Sequence, residues 1–232
     1  MPAILNNARN LNPILNVATM AARIGGKILV RNMNNINKLK VEQKGKNDFV
    51  SDVDHAAEKE IIEIILKHFP DHAIQAEESG IIGQSDYLWI IDPLDGTTNY
   101  LHQFPVFCVS IACLHKGRIE HGVVFDPLRN ELFTASRGQG ALLDGRKIRV
   151  SSILELEKSL IGTGFPYRQS NKSLEHYFNM LKLAIENTQG IRRPGAAALD
   201  LCYVASGRLD GFWETGLMPW DIAAGTLIIR EA

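Results

Sequence analysis

The sequence is poor in cysteine, lacks long apolar runs and carries almost no net charge. Its three cysteines form no CxxC pair, which excludes a disulfide framework and a zinc knuckle and favours a reducing compartment. The 25 basic and 26 acidic residues give a net charge of −1, so the chain as a whole has no attraction to nucleic acid or anionic lipid. Apolar runs such as residues 107–114 are far shorter than a membrane span, and the N-terminus lacks the apolar region of a signal peptide. We expect a soluble, cytoplasmic protein that binds neither a membrane nor nucleic acid directly.

Several motifs that mark common enzyme classes are also missing. There is no Walker A lysine motif, no Gly-x-Ser-x-Gly elbow and no HExxH pair of histidines. Gly138-x-Gly140 lacks the third glycine of a dinucleotide fingerprint, because Leu143 stands at that place. These absences exclude P-loop nucleotide hydrolysis, the serine hydrolase elbow and zinc protease chemistry of the HExxH type.

The 232 residues, with 45% hydrophobic and 22% charged content, are typical of one large globular domain or two fused ones. Helical periodicity spans residues 11–31 and 53–69, and a run of strand patterns follows in the middle of the chain. The later half alternates strands and helices. Strands are expected at 87–91, 107–114, 119–125, 131–135, 160–163 and 211–214, and further helices at 174–185, 197–205 and 222–230. This order predicts an α+β layered fold.

Two stretches interrupt these elements. The polar segment Lys44-Gly-Lys-Asn-Asp48 indicates a loop or hairpin tip. Residues 137–149 are rich in glycine and basic residues, and we place a domain boundary at this break. An N-terminal part at residues 1–145, carrying most candidate ligands, would then be tightly fused to a C-terminal part at 146–232.

Most of the chemical information lies in Trp89-Ile-Ile-Asp-Pro-Leu-Asp-Gly-Thr-Thr-Asn99. A buried strand delivers Asp92 at its end, and after the turn at Pro93 the chain places Asp95 in the same region. The backbone N–H groups that follow, from Gly96 onward, can cradle an anion. Two carboxylates beside such a cradle repel each other unless a divalent cation lies between them, and an oxygen-only ligand set favours Mg²⁺ or Mn²⁺. The alternative is an ordinary Asp-Pro turn with solvated carboxylates and Asp95 as a helix cap.

Other acidic residues have two interpretations each. Glu77-Glu78-Ser79 precedes the strand and either reaches the same strand end or forms a solvated acidic loop. In Ser51-x-x-Asp54 the spacing is that of a capping box, and Asp221 stands where it can cap a terminal helix. Taken alone, Asp54 and Asp221 favour the capping interpretation.

Three separated motifs together resemble the inositol monophosphatase family. They are Glu77-Glu-Ser, the 89–99 motif and Trp220-Asp-x-Ala-Ala-Gly225, in this order, and the likeness extends from about residue 11 to 232. The segments 43–54 and 192–201 resemble the bacterial SuhB-type branch in particular. The resemblance implies a layered αβαβα sandwich, commonly dimeric. Family members continue past Ala232 with a glycine-rich strand segment and more of the second sheet, and residues 1–10 are expected to be a disordered extension.

The resemblance also implies site residues, and it reverses the capping interpretation of Asp54 and Asp221. Two or three Mg²⁺ ions are expected per active site. One is held by Glu77, Asp92 and the carbonyl of Leu94, and a second by Asp92, Asp95 and Asp221. Thr97 and Glu77 orient the attacking water with support from Asp54, while the N–H groups of Gly96 and Thr97 hold the phosphate. The substrate hydroxyls are expected to contact Asp95, Gly195, Ala196, Ala197 and Glu214.

The activity that the resemblance implies is Mg²⁺-dependent, lithium-sensitive hydrolysis of inositol monophosphate or a similar small polyol phosphate by attack of a metal-activated water. The alternatives within the superfamily are a fructose-1,6-bisphosphatase and a bisphosphate nucleotidase. A further alternative is a protein-interaction role, since the SuhB-type branch is associated with transcription antitermination. The expected partners are therefore a phosphorylated polyol, a second copy of the chain and proteins of the antitermination machinery.

Overall fold

The computed structural model describes residues 12–33, 41–45, 48–166 and 171–232. A first helix is followed by a two-stranded hairpin and a second helix, the middle of the chain is mostly strands, and the last part alternates helices and strands. The helices are α1 (Pro13–Met33), α2 (Asp52–His68), α3 (Thr97–Leu101), α4 (Asn171–Asn187), α5 (Ala197–Ala205) and α6 (Pro219–Glu231). The strands are β1 (Val41–Gly45), β2 (Asp48–Ser51), β3 (Ala73–Ala76), β4 (Gly80–Ile82), β5 (Tyr87–Asp95), β6 (Cys108–His115), β7 (Arg118–Asp126), β8 (Glu131–Ser136), β9 (Gly140–Leu143), β10 (Arg146–Lys147), β11 (Leu160–Thr163), β12 (Gly190–Arg192) and β13 (Gly211–Trp213).

An eight-stranded mixed sheet organises the fold, with strand order β10-β9-β8-β7-β6-β5-β3-β4. Strand β5 lies inside it, parallel to β3 and antiparallel to β6. Its run of apolar residues is continuous because both faces are covered: Trp89 and Ile91 face one hydrophobic core and Ile90 faces the other. The strand therefore forms a rigid support that ends at Asp95.

Helices and a second sheet complete the layers. Helices α1 and α2 cover one face of the large sheet, and α5 and α6 cover the other. Beyond α5 lies the three-stranded sheet β12-β11-β13, against which α4 packs through Tyr177, whose hydroxyl is 2.9 Å from that of Thr163 on β11. The order of layers is helix, sheet, helix, sheet, helix, which confirms the α+β layered αβαβα prediction.

Helix α1 is long and apolar enough, by length and composition alone, to cross a membrane. Core helices of globular proteins meet the same criterion, so this finding does not overturn the expectation that the chain spans no membrane. Almost half of the helix is buried, and residues such as Ala21, Ala22 and Leu29 belong to the core that it shares with α2 and the large sheet. A buried amphipathic face of this kind is typical of a core helix.

The structure adds short strands that the sequence did not predict. Strands β9 and β10 fall in the glycine- and basic-rich stretch and extend the large sheet at one edge, while β12 joins the smaller sheet. The domain division at residue 145 stays a prediction. Strands β1 and β2 pair as a hairpin around the expected tip, of which residues 46–47 lie outside the described residues, as does the extension at residues 1–10. The three cysteines are free and buried.

Candidate functional site

The end of β5 brings the side chain of Asp92, the backbone of Leu94 and the side chain of Asp95 close together. The pairing of β5 with β6 becomes irregular between Asp92 and Asp95, and an irregularity of this type redirects side chains at a sheet end. The N–H of Leu94 donates to Oδ1 of Asp92 at 3.0 Å, while the Leu94 carbonyl accepts from the Thr97 hydroxyl at 3.0 Å. Asp92 and Asp95 are both buried, so the strand end carries two carboxylates that solvent barely reaches.

Gly96 forms the tight turn from β5 into α3. Its φ of 93° lies in the left-handed region, and a Cβ there would lie 2.9 Å from the carbonyl oxygen of Val106. A side chain at this position would therefore be strained and crowded. Within the described residues no side chain caps α3, so the first N–H groups of the helix, beginning at Thr97, face the space in front of it. An anion cradle at this turn stays a prediction.

One cleft of about 330 Å³ collects acidic side chains from separate parts of the fold. Glu77 follows β3, and its N–H donates to the Ile91 carbonyl at 3.2 Å, which keeps it beside β5. Glu214 follows β13, and Asp221 lies in the first turn of α6. The acidic residues that line the cleft are Glu77, Asp92, Asp95, Glu214 and Asp221. The structure thus brings together every predicted carboxylate ligand, and Leu94 and Thr97 line the same cleft.

Asp95 joins the strand end to the N-terminus of α5. Its Oδ1 accepts the N–H of Ala197 at 3.2 Å, and its Oδ2 accepts the N–H of Ala198 at 2.7 Å. The bonds stabilise a carboxylate at a helix N-terminus and place Gly195 and Ala197 at the cleft wall. Ala196 does not line the cleft in the described structure. It is buried, and its Cβ lies 3.3 Å from where a Cβ of Gly96 would lie, so it packs against the turn.

Asp54 lies behind Thr97 rather than in the cleft wall. It is fully buried in the first turn of α2, and its Oδ1 is 3.4 Å from the Thr97 hydroxyl. The single hydroxyl proton has two alternative acceptors, Asp54 and the closer Leu94 carbonyl. Asp54 therefore contacts Thr97 from outside the cleft, and its supporting role stays a prediction.

Asp221 caps its helix and lines the cleft at the same time. Its Oδ2 accepts the N–H of Met218 at 2.6 Å, the geometry of a capping box at the start of α6. The two interpretations of Asp221 from the sequence are therefore compatible, since a carboxylate has enough lone pairs for a cap and a further partner.

The carboxylates that line the cleft repel one another, and this repulsion changes their pKa values. Burial raises the pKa of Asp92 well above its ordinary value, and the charges of Glu77, Asp95 and Asp221 raise it further. Burial and the charge of Asp221 raise the pKa of Asp95 to about 7, against the lowering effect of the Ala198 N–H. Without a compensating cation, these groups hold protons at pH values where exposed carboxyl groups are ionised.

The donor set fits a hard divalent cation. Carboxylate and carbonyl oxygens are the ligands of Mg²⁺ and Mn²⁺, and their mutual repulsion is relieved by positive charge. Among the residues that the structure describes, however, no three His, Cys, Asp or Glu side chains are already arranged as a metal cage. The carboxylates instead accept backbone hydrogen bonds, so we expect small side-chain rotations to accompany ion binding.

Three residues near the site were not predicted from the sequence. Arg193 lines the cleft and lies over the Phe165 ring at 5.1 Å. Asp200 is buried on α5 with an Oδ1 that has no hydrogen-bond partner, and burial, with the charges of Asp95 and Glu214, raises its pKa to about 8. Glu58 lies one helical turn after Asp54, a spacing that could have indicated a shared face.

Comparisons with known proteins show the family and fold of this chain. The model of the inositol monophosphatase family matches residues 10–232. The Nus factor SuhB of Pseudomonas aeruginosa is 52% identical over 227 residues, which cover 96% of this chain and 84% of that protein. The crystal structure of the extragenic suppressor protein SuhB from Bartonella henselae matches with a TM-score of 0.92 at 46% identity, over 95% of this chain and 85% of that one. The inositol monophosphatase from Anabaena matches with a TM-score of 0.84 at 44% identity, over 96% of this chain and 82% of that one. The chain belongs to the inositol monophosphatase family.

Proposed function

We propose that this protein is a Mg²⁺-dependent phosphatase that hydrolyses inositol monophosphate or a similar small polyol phosphate. The observation that carries the proposal is the convergence of Glu77, Asp92, Asp95 and Asp221 on one cleft beside the N-terminus of α3. Carboxylates that repel each other and a group of backbone N–H donors make a joint site for cations and a phosphate. Membership of a phosphatase family supports the same activity.

Members of this family are generally metal-dependent. We propose that Glu77, Asp92 and the Leu94 carbonyl hold one Mg²⁺, and that Asp92, Asp95 and Asp221 hold a second. When bound, the ions supply positive charge to the phosphoryl and leaving oxygens and lower the pKa of water. The carboxylates contribute by remaining ionised around that charge, which reverses the raised pKa values of the metal-free site.

The chain itself positions the reactants. The Thr97 hydroxyl, whose proton is directed at Leu94 or Asp54, presents its lone pairs to the cleft and can accept a hydrogen bond from the attacking water. Glu77, which lines the same cleft, accepts the other proton of that water as its oxygen bonds to phosphorus, and the polyol oxygen leaves and takes a proton from water. The N–H groups at Gly96 and Thr97 hold the phosphoryl oxygens. Phosphate monoesters hydrolyse very slowly in water, so this orientation and charge neutralisation are the main catalytic contributions.

A hydroxyl-rich substrate suits the outer part of the cleft. Glu214 and the backbone around Gly195 and Ala197 offer acceptors and donors for ring hydroxyls. Glu214 also lies closely against the backbone of Gly164, where a Cβ would overlap its carboxyl group, so its position is restricted. We therefore place a polyol ahead of a nucleotide as the substrate.

The proposal is tested by phosphate release from inositol monophosphate, fructose 1,6-bisphosphate and a nucleoside bisphosphate, each with and without Mg²⁺ and with added lithium. We expect Mg²⁺-dependent, lithium-inhibited turnover that is fastest with inositol monophosphate. Higher rates on either of the other substrates would identify the corresponding member of the superfamily. Absence of Mg²⁺-dependent release from all three would contradict the proposed function.

We also propose that the protein docks onto components of the transcription antitermination machinery. The relative from Pseudomonas aeruginosa is named a Nus factor and shares about half of its residues with this chain. Pull-down of antitermination proteins by both the wild type and Asp92→Asn would show docking that does not depend on catalysis. Failure of the wild type to retain any of them would contradict this second proposal.

The resemblance supports a proposal on quaternary structure, and the cysteine content supports one on location. We propose a cytoplasmic homodimer, and the three free, buried cysteines support a reducing compartment. Sedimentation at several protein concentrations tests the oligomeric state, with a dimer expected and a monomer throughout contradicting it.

A further inference from the structure

The turn that carries Glu77 is hydrogen-bonded to Glu58, a buried acidic residue on helix α2. Strands β3 and β4 form a hairpin in which Ala76 pairs with Gly80, so Glu77, Glu78 and Ser79 form its turn. The Oε2 of Glu58 accepts the N–H of Glu78 at 2.8 Å, and its Oε1 accepts the N–H of Ser79, also at 2.8 Å. Glu58 is only 3% exposed, so water does not replace these bonds readily.

Its two strands differ in how firmly they are held: β3 is buried and pairs with β5, whereas β4 lies at the edge of the sheet. Strand β4 is an edge strand of three residues, and its Ile81 is 76% exposed. Short edge strands with few buried side chains open locally at low free-energy cost. A carboxylate with both oxygens bonded to Glu78 and Ser79 restrains the turn on the side that leads into β4.

Helix α2 connects this restraint to the other side of the site. Asp54 and Glu58 are four residues apart and lie on one face of the helix. Asp54 contacts the hydroxyl of Thr97 at the start of α3, and Glu58 contacts the N–H of Glu78, which is next to Glu77. One rigid helix therefore sets the separation between the two groups that are proposed to orient the water.

We propose that Glu58 is a positioning residue that holds Glu77 in the geometry needed for the first Mg²⁺ and for the water. The inference rests on the proposed function but concerns a residue outside the cleft. Replacing a residue that holds a metal ligand in place typically lowers metal affinity or activity by 10- to 100-fold. The same range is expected here.

The test uses Glu58→Gln and Glu58→Asp in the full chain. Gln replaces one acceptor with an NH₂ donor, and Asp keeps the charge but is too short to reach both N–H groups. Asp126→Asn is the matched control: Oδ1 of Asp126 accepts the N–H groups of Leu128 and Arg129 in the turn after β7, and Asp126 does not line the cleft in the described structure. Its amide oxygen keeps those bonds, while its NH₂ group replaces the Oδ2 that pairs with Arg129 at 2.8 Å, so the control loses a buried charge as Glu58→Gln does.

Two measurements need no turnover. Hydrogen exchange in metal-free wild type should show protected N–H groups at Glu78 and Ser79, with exchange about 10- to 100-fold faster in both Glu58 variants, as the loss of a bond to a charged acceptor predicts. Calorimetric titration with Mg²⁺ alone should show an affinity about 10- to 100-fold weaker in these variants and unchanged in Asp126→Asn. The Mg²⁺ concentration for half-maximal phosphate release should rise by a similar factor, with kcat nearly restored at saturating Mg²⁺.

Rapid exchange of both N–H groups in the wild type would overturn the inference without requiring any variant to fold. Wild-type Mg²⁺ affinity in Glu58→Gln, or an equal loss in Asp126→Asn, would also overturn it. If the wild type released no phosphate from any substrate, the proposed function would fail, while the exchange and Mg²⁺ titrations would still decide the role of Glu58.

Discussion

The Thr97 hydroxyl lies 3.4 Å from Oδ1 of Asp54, across 43 positions of sequence. This contact connects the start of α3 with the first turn of α2. It places a buried acceptor behind a hydroxyl that faces the cleft, and no local sequence pattern requires the two residues to meet.

The pair is expected to act as one unit. Thr97→Val removes the hydroxyl with little change in shape, and Asp54→Asn removes the charge behind it. Each should lower kcat by about 10²- to 10⁴-fold with a small change in KM, because water orientation matters in the transition state more than in the bound substrate. Steady-state kinetics of the single and double variants would test this. Losses that multiply fully in the double variant would show that the residues act independently.

Asp221 allows capping and metal binding to be separated. Asp221→Asn keeps an oxygen for the Met218 N–H, so we expect its free energy of unfolding without metal to stay close to that of the wild type. Asp221→Ala loses the cap and should cost about 1 kcal/mol of stability. Both variants should lose Mg²⁺ affinity, because neither supplies a carboxylate.

Chemical denaturation and Mg²⁺ titration of the Asp221 variants provide the measurement. If Asp221→Asn bound Mg²⁺ as tightly as the wild type, the residue would be a cap alone.

The buried Asp200 is expected to make the free energy of unfolding depend on pH. Its pKa is raised from 3.8 to about 8 in the folded protein, mainly by burial, so the folded state binds a proton more tightly than the unfolded state does. Stability from this group is therefore greatest below about pH 4 and falls as pH rises to about 8. Asp200→Asn should stabilise the protein by about 1–3 kcal/mol at neutral pH, because Asn is neutral without binding a proton on folding, whereas Asp200 must be protonated in the fold.

Denaturant unfolding of the wild type and Asp200→Asn across this pH range measures the difference. The gain should grow between about pH 4 and pH 8 and then level off. A gain that shrank with rising pH would mean that Asp200 is ionised and stabilised in the fold.

The sequence predicted the layers because their elements have strong periodic or continuous apolar patterns. Strand β5 is an example: its apolar run is buried on both faces. Strands β9, β10 and β12 were missed because they have four residues or fewer, and those at the sheet edge lie between glycine turns that resemble a linker. Their pairing depends on a neighbouring strand that local sequence does not specify.

The site was predictable where its residues are adjacent in sequence. Asp92, Asp95 and Gly96 form one turn, and the chemistry of that turn can be inferred locally. Asp54 and Asp221 gave only capping patterns, and the resemblance to a family was needed to place them at the site. Glu58 was missed because its partners, the N–H groups of Glu78 and Ser79, are backbone atoms that carry no sequence signal.

The central claim is that the acidic residues of the cleft jointly bind Mg²⁺, and Asp92 takes part in both proposed ion sites. Its most direct test is a calorimetric titration of Mg²⁺, with inorganic phosphate present, into the wild type, Asp92→Asn and the Asp126→Asn control. We predict that the wild type and the control bind Mg²⁺ with similar affinity and that Asp92→Asn binds it at least about 100-fold more weakly, which is the upper end of what the loss of an outer partner costs. Equal Mg²⁺ affinity in all three proteins would contradict the account.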